Sequence, residues 1–329
     1  MYDEIENAGL EGRDLLTTED WSVEELETLF SLAGELKRAR AAGESTPLLL
    51  RKTLHMIFFD SSTRTRNSFE TGITQLGGHG IYLSPDRMQI SHGENAKDTA
   101  KVLSRYGEGI AIRHCAYGEG NAYLQSVAEH ADVPVLNMQC DVYHPCQILA
   151  DLMTIREKLG DTRGLKLGVA WTSAPNYVRP ISVPQSLVLM MPRFGIDVTL
   201  AYPPEFHLMP WVEDRARANA QEAGARFEVS HRFEDAFEGA DVVIPKSWGP
   251  LAWTQDHDEG VKLIEKYPEW RCDAERMSLG NPHLIYMHPL PADRGREVTD
   301  EVIDGPRSVV YDEAENRLHV QKALMALTM

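Results

Sequence analysis

Ser62-Thr63-Arg64-Thr65-Arg66 bring three hydroxyls and two guanidiniums together on one short stretch. They follow the apolar run Leu54-His55-Met56-Ile57-Phe58-Phe59, which reads as a buried parallel strand, and precede Phe69, Ile73 and Leu76 at helical spacing. Gly77-Gly78 is a good stop for that helix. Ser62 and Thr63 are natural N-cap residues, and a helix N-terminus offers N–H groups and partial positive charge. Together these groups make a socket for a phosphoryl group. An N-cap followed by two solvated arginines accounts for the same five residues, so other clusters must decide.

His144-Pro145-Cys146-Gln147 opens a helix toward Asp151, beside the extended Leu136-Asn137-Met138. Proline suits a first helical turn, and His144 and Gln147, one turn apart, face the same side. The bland alternative is a capping His with an exposed Gln. Ile110-Ala111-Ile112-Arg113 ends a buried strand on an arginine, which needs either a bound anion or a carboxylate partner. His288-Pro289-Leu290-Pro291-Ala292 follows Ile285-Tyr286-Met287; prolines at this spacing stiffen a loop and leave carbonyl oxygens as acceptors for an N–H₂ group. Glu315-Asn316-Arg317-Leu318-His319 falls in a terminal helix, where such residues ordinarily form a solvated face.

The elements that must position these groups alternate along the chain. Strands are expected at 54–59, 79–83, 109–113, 133–138, 165–171, 197–202, 226–230, 241–245, 284–289 and 308–312. Helices are expected near 22–39, 64–76, 95–106, 120–130, 145–159, 184–194, 210–223 and 313–327. Such alternation predicts an α/β fold with parallel sheets flanked by helices. A chain of 329 residues exceeds one comfortable core, and ten strands are many for one sheet, so two domains are expected. A helix over 151–158 would join them, with Gly160-Asp161 and Arg163-Gly164 marking the break. In these folds ligands sit beyond the carboxyl ends of the strands, where every cluster above lies.

A formal net charge of -17 argues against nucleic-acid or anionic-membrane partners, so a phosphorylated substrate must be captured by locally placed arginines. The four cysteines, Cys115, Cys140, Cys146 and Cys272, have no CxxC or metal spacing and suit reduced thiols in the cytoplasm. Met1-Tyr2-Asp3-Glu4-Ile5-Glu6 is acidic with no apolar signal region, and no apolar run approaches membrane-spanning length.

Taken in register, Ser62–Arg66, His144–Gln147, His288–Ala292 and Glu315–Arg317 resemble the aspartate/ornithine carbamoyltransferase family, from about residue 50 to the C-terminus. The segment Gln89-Ile90-Ser91-His92-Gly93-Glu94, followed by Lys97-Asp98-Thr99, resembles the loop that ornithine-type members lend to a neighbouring subunit. The resemblance implies a carbamoyl phosphate domain at 1–150, an acceptor domain at 151–310 and a C-terminal helix at 311–329 returning to the first domain. It implies that Ser62, Thr63, Arg64 and Thr65 hold the phosphate of carbamoyl phosphate. Arg113, Thr65 and His144 would act on its carbonyl oxygen, while Gln147, Arg317 and the carbonyls near His288 and Leu290 fix its amino group. Gln89 or His92 would reach the site of the adjacent chain in a homotrimer or a multiple of trimers. Amine attack builds negative charge on the carbonyl oxygen, and phosphate leaves as a stable anion. No metal, covalent nucleophile or cofactor is then required, and positioning with charge stabilisation carries the reaction.

The acceptor is read from departures within the second domain. Ornithine-type members have an Asn pair after its first strand and an Asp-x-x-x-Ser-Met-Gly motif further on. Here stand Trp171-Thr172-Ser173-Ala174-Pro175-Asn176-Tyr177-Val178-Arg179-Pro180-Ile181-Ser182-Val183-Pro184-Gln185 and Pro245-Lys246-Ser247-Trp248-Gly249-Pro250. His288-Pro289 likewise replaces a His-Cys pair. The Pro-rich loop is similar to that of the knotted carbamoyltransferases, and with Gly120-Asn121-Ala122-Tyr123 it resembles their ureidoglycine subgroup of purine catabolism. That resemblance implies a knot in the second domain and exchange of ureidoglycine plus carbamoyl phosphate with allantoate plus phosphate. Lys246 would hold the acceptor carboxylate beside Ser247, and Trp248 would close over a planar ureido group. The alternatives are free, acetyl- or succinylornithine as acceptor, or a catalytically silent anion-binding homologue.

Overall fold

The structure is a computed structural model that describes residues 2–175 and 177–329; Met1 and Asn176, the latter part of the expected 175–184 loop, lie outside the described residues. It divides into two compact units, one made of the chain up to Ala150 together with Glu315–Met329, the other of Asp151–Ala314. The strands are β1 Thr53–Phe58, β2 His79–Leu83, β3 Gly109–His114, β4 Val135–Cys140, β5 Lys166–Trp171, β6 Asp197–Ala201, β7 Phe227–Ser230, β8 Val242–Lys246 and β9 Ile285–Tyr286. The helices of the N-terminal half are α1 Tyr2–Ala8, α2 Val23–Ala41, α3 Arg64–Gln75, α4 Ala96–Leu103, α5 Gly120–His130 and α6 Pro145–Leu159. Then come α7 Ser182–Met190, α8 Pro210–Ala223, α9 His257–Ile264, α10 Ala274–Met277, α11 Asp300–Ile303 and α12 Val310–Thr328. The division between units falls inside α6 and again inside α12.

The first unit holds a parallel sheet of order β2-β1-β3-β4. β1 and β4 are buried on both faces, whereas β2 lies at an edge and is partly open. Register pairs Phe58 with Arg113, and the β3–β4 register shifts between Ile112 and Arg113, where β4 carries one extra residue, Met138. α3 packs against α12 closely enough that a Cβ on Gly72 would lie 3.0 Å from Met325 Cε, so a larger residue there would push the Met325 side chain aside. From Asn316 onward α12 is buried all round, including Arg317 and His319, which removes the expected solvated face.

The second unit holds a parallel sheet of order β7-β6-β5-β8-β9. Its central strand β5 passes so near the Ala236 carbonyl that a Cβ on Gly168 would overlap it. Trp171 at the end of β5 donates to Trp248 O (2.8 Å), and Trp248 donates to Phe206 O (2.8 Å), tying the loop after β8 into the core.

Three expected elements change, and α1, α9, α10 and α11 were not expected. Residues 308–312 are not a strand: Ser308 makes one isolated bridge to Tyr286, and α12 begins at Val310 with Asp312 and Glu313 in its favourable first turn. Strand 284–289 shrinks to Ile285–Tyr286, since prolines cannot continue the ladder. The helix near 184–194 ends at Met190 and tightens into a 3₁₀ turn over Met191–Phe194, with Pro192 inside it. α9, capped by Asp256, was hidden by the polar, Pro-containing residues before it. Among the described residues, no helix is long and apolar enough to cross a membrane.

Candidate active site

In the first unit the carboxyl ends of β1, β3 and β4 carry the expected residues. Ser62 Oγ accepts from Thr65 N–H (3.2 Å), so Ser62 caps α3, while Thr63, at the cap position, makes no side-chain capping bond. Thr65 is buried and its Oγ1 accepts from Arg317 Nη2 (2.7 Å), joining α3 to α12. Arg113 donates to Gln139 Oε1, an amide on β4, where the sequence left a bound anion and a carboxylate partner open. His144 precedes Pro145 at the start of α6, with Gln147 one turn on, and both are buried. Burial, and then the positive charges of Arg317, Arg113 and Arg64, hold the His144 imidazole well below its ordinary value. It is neutral at physiological pH.

Arg66 does not join this group. It pairs with Glu70 (3.3 Å) and lies 3.8 Å from the centroid of the Tyr82 ring. Residues two apart on a helix face different sides, so Arg64 and Arg66 could not both point into one socket. A cavity of about 640 Å³ borders this outer face, lined by Ser62, Thr63, Arg66, Asn67 and Glu70 among others. Gln89 and His92 form part of an exposed 3₁₀ turn.

In the second unit, His288, Lys246 and Ser247 come together on a residue that no motif marked, Glu297. Its buried carboxylate accepts from Ser247 N–H (2.6 Å) and Asp293 N–H (2.7 Å) and lies 3.3 Å from His288 Nε2 and 3.8 Å from Lys246 Nζ. Burial alone would push its pKa up, but the neighbouring His288, Lys246 and Arg179 outweigh burial, hold it well below the usual carboxylate range and keep Glu297 ionised. Burial holds His288 below its ordinary value, against the pull of Glu297, so the imidazole is neutral. Lys246 is itself buried and donates to Ser247 O (2.8 Å). Arg179 pairs with Asp293 (2.8 Å), which also accepts from Tyr177. Leu290 has φ of 52°, a left-handed backbone uncommon for a branched residue. Trp248 is a core residue with its N–H engaged, in contrast to the expected closing role. Ser247 Oγ and Ser173 Oγ, at the ends of adjacent strands β8 and β5, are buried without a hydrogen-bond partner among the described residues.

Glu297, Gln139 and Ser173 are the residues missed from sequence. Glu297 sits in the polar run Asp293-Arg294-Gly295-Arg296, where a lone carboxylate looks like surface. Gln139 lies between Met138 and Cys140 on β4, and a second amide, after Asn137, inside a buried strand was its one visible signal.

Residues 13–157 match the profile described as aspartate/ornithine carbamoyltransferase, carbamoyl-P binding domain, and residues 180–328 match its Asp/Orn binding domain. The ornithine carbamoyltransferase of Carboxydothermus hydrogenoformans is 42% identical over 322 residues, covering 98% of this chain and 99% of that one. The solved ornithine carbamoyltransferase from Pyrococcus furiosus superimposes with a TM-score of 0.88 at 39% identity, covering 97% of this chain and 98% of that one. An N-acetyl-L-ornithine transcarbamylase variant complexed with PALAO gives 0.89 at 35% identity, covering 96% and 100%. These names match the ornithine-type alternative rather than the ureidoglycine reading.

Proposed function

The chain belongs to the aspartate/ornithine carbamoyltransferase family and is a carbamoyltransferase, and we propose that its acceptor is an amine of the ornithine class, free or N-acylated. The observation that carries the carbamoyl phosphate half is the Arg317–Thr65 hydrogen bond in the first turn of α3, together with the positive charges of Arg317, Arg113 and Arg64 that act on buried His144. In this reading Ser62, Thr63, Arg64 and Thr65 hold the phosphate. Thr65 Oγ1 already accepts from Arg317, which leaves its own hydrogen to donate to the carbamoyl oxygen. Neutral His144 and Arg113 donate to the same oxygen as attack by the amine loads it with charge. One such donor is worth about 3–4 kcal/mol of the barrier. Gln147, Arg317 and the carbonyls of His288 and Leu290 orient the amino group, and phosphate departs with the bonding pair of the broken C–O bond.

For the acceptor, the names of the relatives support ornithine-class amines. Ser247, whose buried hydroxyl has no partner among the described residues, and Lys246 are the residues we assign to it. Ureidoglycine stays as a second reading because Pro245-Lys246-Ser247-Trp248 stands where ornithine-type members resemble one another. The four cysteines are free thiols, which supports a reducing, cytoplasmic setting. The exposed Gln89 and His92 support completion of a neighbouring chain's site in a trimer.

A ureido-product assay with carbamoyl phosphate and L-ornithine, N-acetylornithine, N-succinylornithine or ureidoglycine tests the acceptor. Turnover of an ornithine is expected; turnover of ureidoglycine alone would restore the second reading. Calorimetric binding of carbamoyl phosphate with no turnover of any amine would make the chain a silent homologue.

A further inference from the structure

Glu297 is fully buried, yet it touches the segments that follow three strands of the second sheet. After β5, Thr172 Oγ1 lies 3.5 Å from its Oε1. After β8, the Ser247 N–H donates to the same oxygen at 2.6 Å, with Lys246 Nζ 3.8 Å away. After β9, the Asp293 N–H donates to Oε2 at 2.7 Å. One carboxylate therefore ties together the loops at the strand ends where open α/β sheets place ligands. Hydrophobic packing would hold these loops without any charge, and a buried ionised group is retained only at a desolvation cost that its partners offset.

The His288 contact adds direction. His288 Nδ1 accepts from the Leu290 N–H at 2.9 Å, so in the neutral ring the proton must be on Nε2. Nε2 lies 3.3 Å from Glu297 Oε1 without hydrogen-bond alignment, and the nearby negative charge favours that tautomer over the other. The His288 N–H is meanwhile fixed by Glu313 Oε2 at 2.7 Å. With its N–H held by His288, Leu290 keeps its left-handed backbone, and its carbonyl points in one direction.

We infer that Glu297 is a positioning residue for carbamoyl transfer: through the His288 tautomer it aims the Leu290 carbonyl, and through the Ser247 N–H and Lys246 it sets the loop after β8. The inference rests on the reading above, in which Leu290 O takes the carbamoyl amino group and Ser247 and Lys246 serve the acceptor. It reaches further by placing both duties under one side chain that touches no substrate.

The discriminating variant is Glu297→Gln, which keeps the shape but offers one acceptor oxygen where the carboxylate offers two. The loop after β8 or the loop after β9 must then lose its anchor. With carbamoyl phosphate and L-ornithine, kcat should fall by about 10- to 100-fold, the range seen when an outer carboxylate that orients a working group is removed. The ornithine KM should rise, while calorimetric affinity for inorganic phosphate stays within about twofold, because phosphate is assigned to the other unit. Unchanged kinetics would overturn the inference, and so would phosphate affinity falling in step with kcat, which would mean general damage. Should the variant fail to fold, the wild-type protein decides by nitrogen NMR of its histidine rings. His288 must carry its proton on Nε2 with Nδ1 bare; a proton on Nδ1 sinks the proposal. A wild-type protein that does not turn over L-ornithine speaks against the acceptor reading alone, since the ring tautomer still tests Glu297.

Discussion

The two units solve opposite electrostatic problems at the carboxyl ends of their strands. Around His144 the charges that act on the imidazole are all positive: Arg317, Arg113 and Arg64. Around His288 they are mixed, Glu297 opposing Lys246 and Arg179, with Asp293 paired to Arg179. A cluster of like charges is complementary to a ligand of the other sign, whereas a balanced cluster holds its own geometry and adds little field. The first region therefore suits a dianionic phosphoryl compound. The second suits a polar acceptor recognised by hydroxyls and backbone groups.

That contrast can be broken by substitution. His144→Ala removes a donor to the developing oxyanion and should cost about 100- to 1,000-fold in kcat, read by steady-state assay with carbamoyl phosphate saturating. An effect below about tenfold would mean that the imidazole lies outside the reacting centre. Arg64→Ala should weaken inorganic phosphate binding by roughly 10- to 100-fold in calorimetry, the worth of charge-assisted bonds. Lys246→Met should leave phosphate binding unchanged and raise the acceptor KM by about tenfold. If Arg64→Ala and Lys246→Met shifted the same constant, the two regions would not have separate duties.

Legibility from sequence differed between the regions for the same reason. The phosphate side is built from residues adjacent in the chain, Ser62 to Thr65, placed by one strand-to-helix turn whose apolar spacing was visible. Only Arg66 misled there, since composition counts both arginines while helical geometry separates them. The second region is assembled from Thr172, Lys246, Ser247, His288 and Glu297, which no local pattern links. Its organising carboxylate reads as surface until the fold buries it. Strands β1, β3, β5, β6 and β8 were legible because parallel strands buried on both faces are nearly continuous apolar runs. The run at 308–312 had that composition too, and tertiary context made it the start of a helix instead.

The histidines give a pH test of smaller size. His144 and His288 are both held below 6.5, chiefly by burial, and His319 is pushed down to about 4, again chiefly by burial. A depressed folded value means that the unfolded chain binds the proton first. The stability they contribute is fully present above pH 6.5 and is lost as pH falls toward the folded values. Each such histidine steepens the loss by up to about 1.4 kcal/mol per pH unit in that window. Denaturation midpoints between pH 7 and 5 should therefore fall less steeply in His144→Asn than in the wild type. Equal slopes would mean that His144 is not neutral in the fold.

The smallest expected effect falls on Arg66, and it isolates geometry from composition. Its guanidinium is engaged with Glu70 and the Tyr82 ring on a half-exposed face of α3. An exposed helical ion pair is worth about 0.3–0.5 kcal/mol, and an exposed cation–π contact about 0.5–1 kcal/mol. Arg66→Ala should thus lower stability by at most about 1.5 kcal/mol and change phosphate affinity by less than about twofold, against the large loss expected two residues earlier at Arg64. A loss of phosphate binding at Arg66 comparable to that at Arg64 would return both arginines to the socket. The helix would then have to open differently from the turn that Ser62 caps.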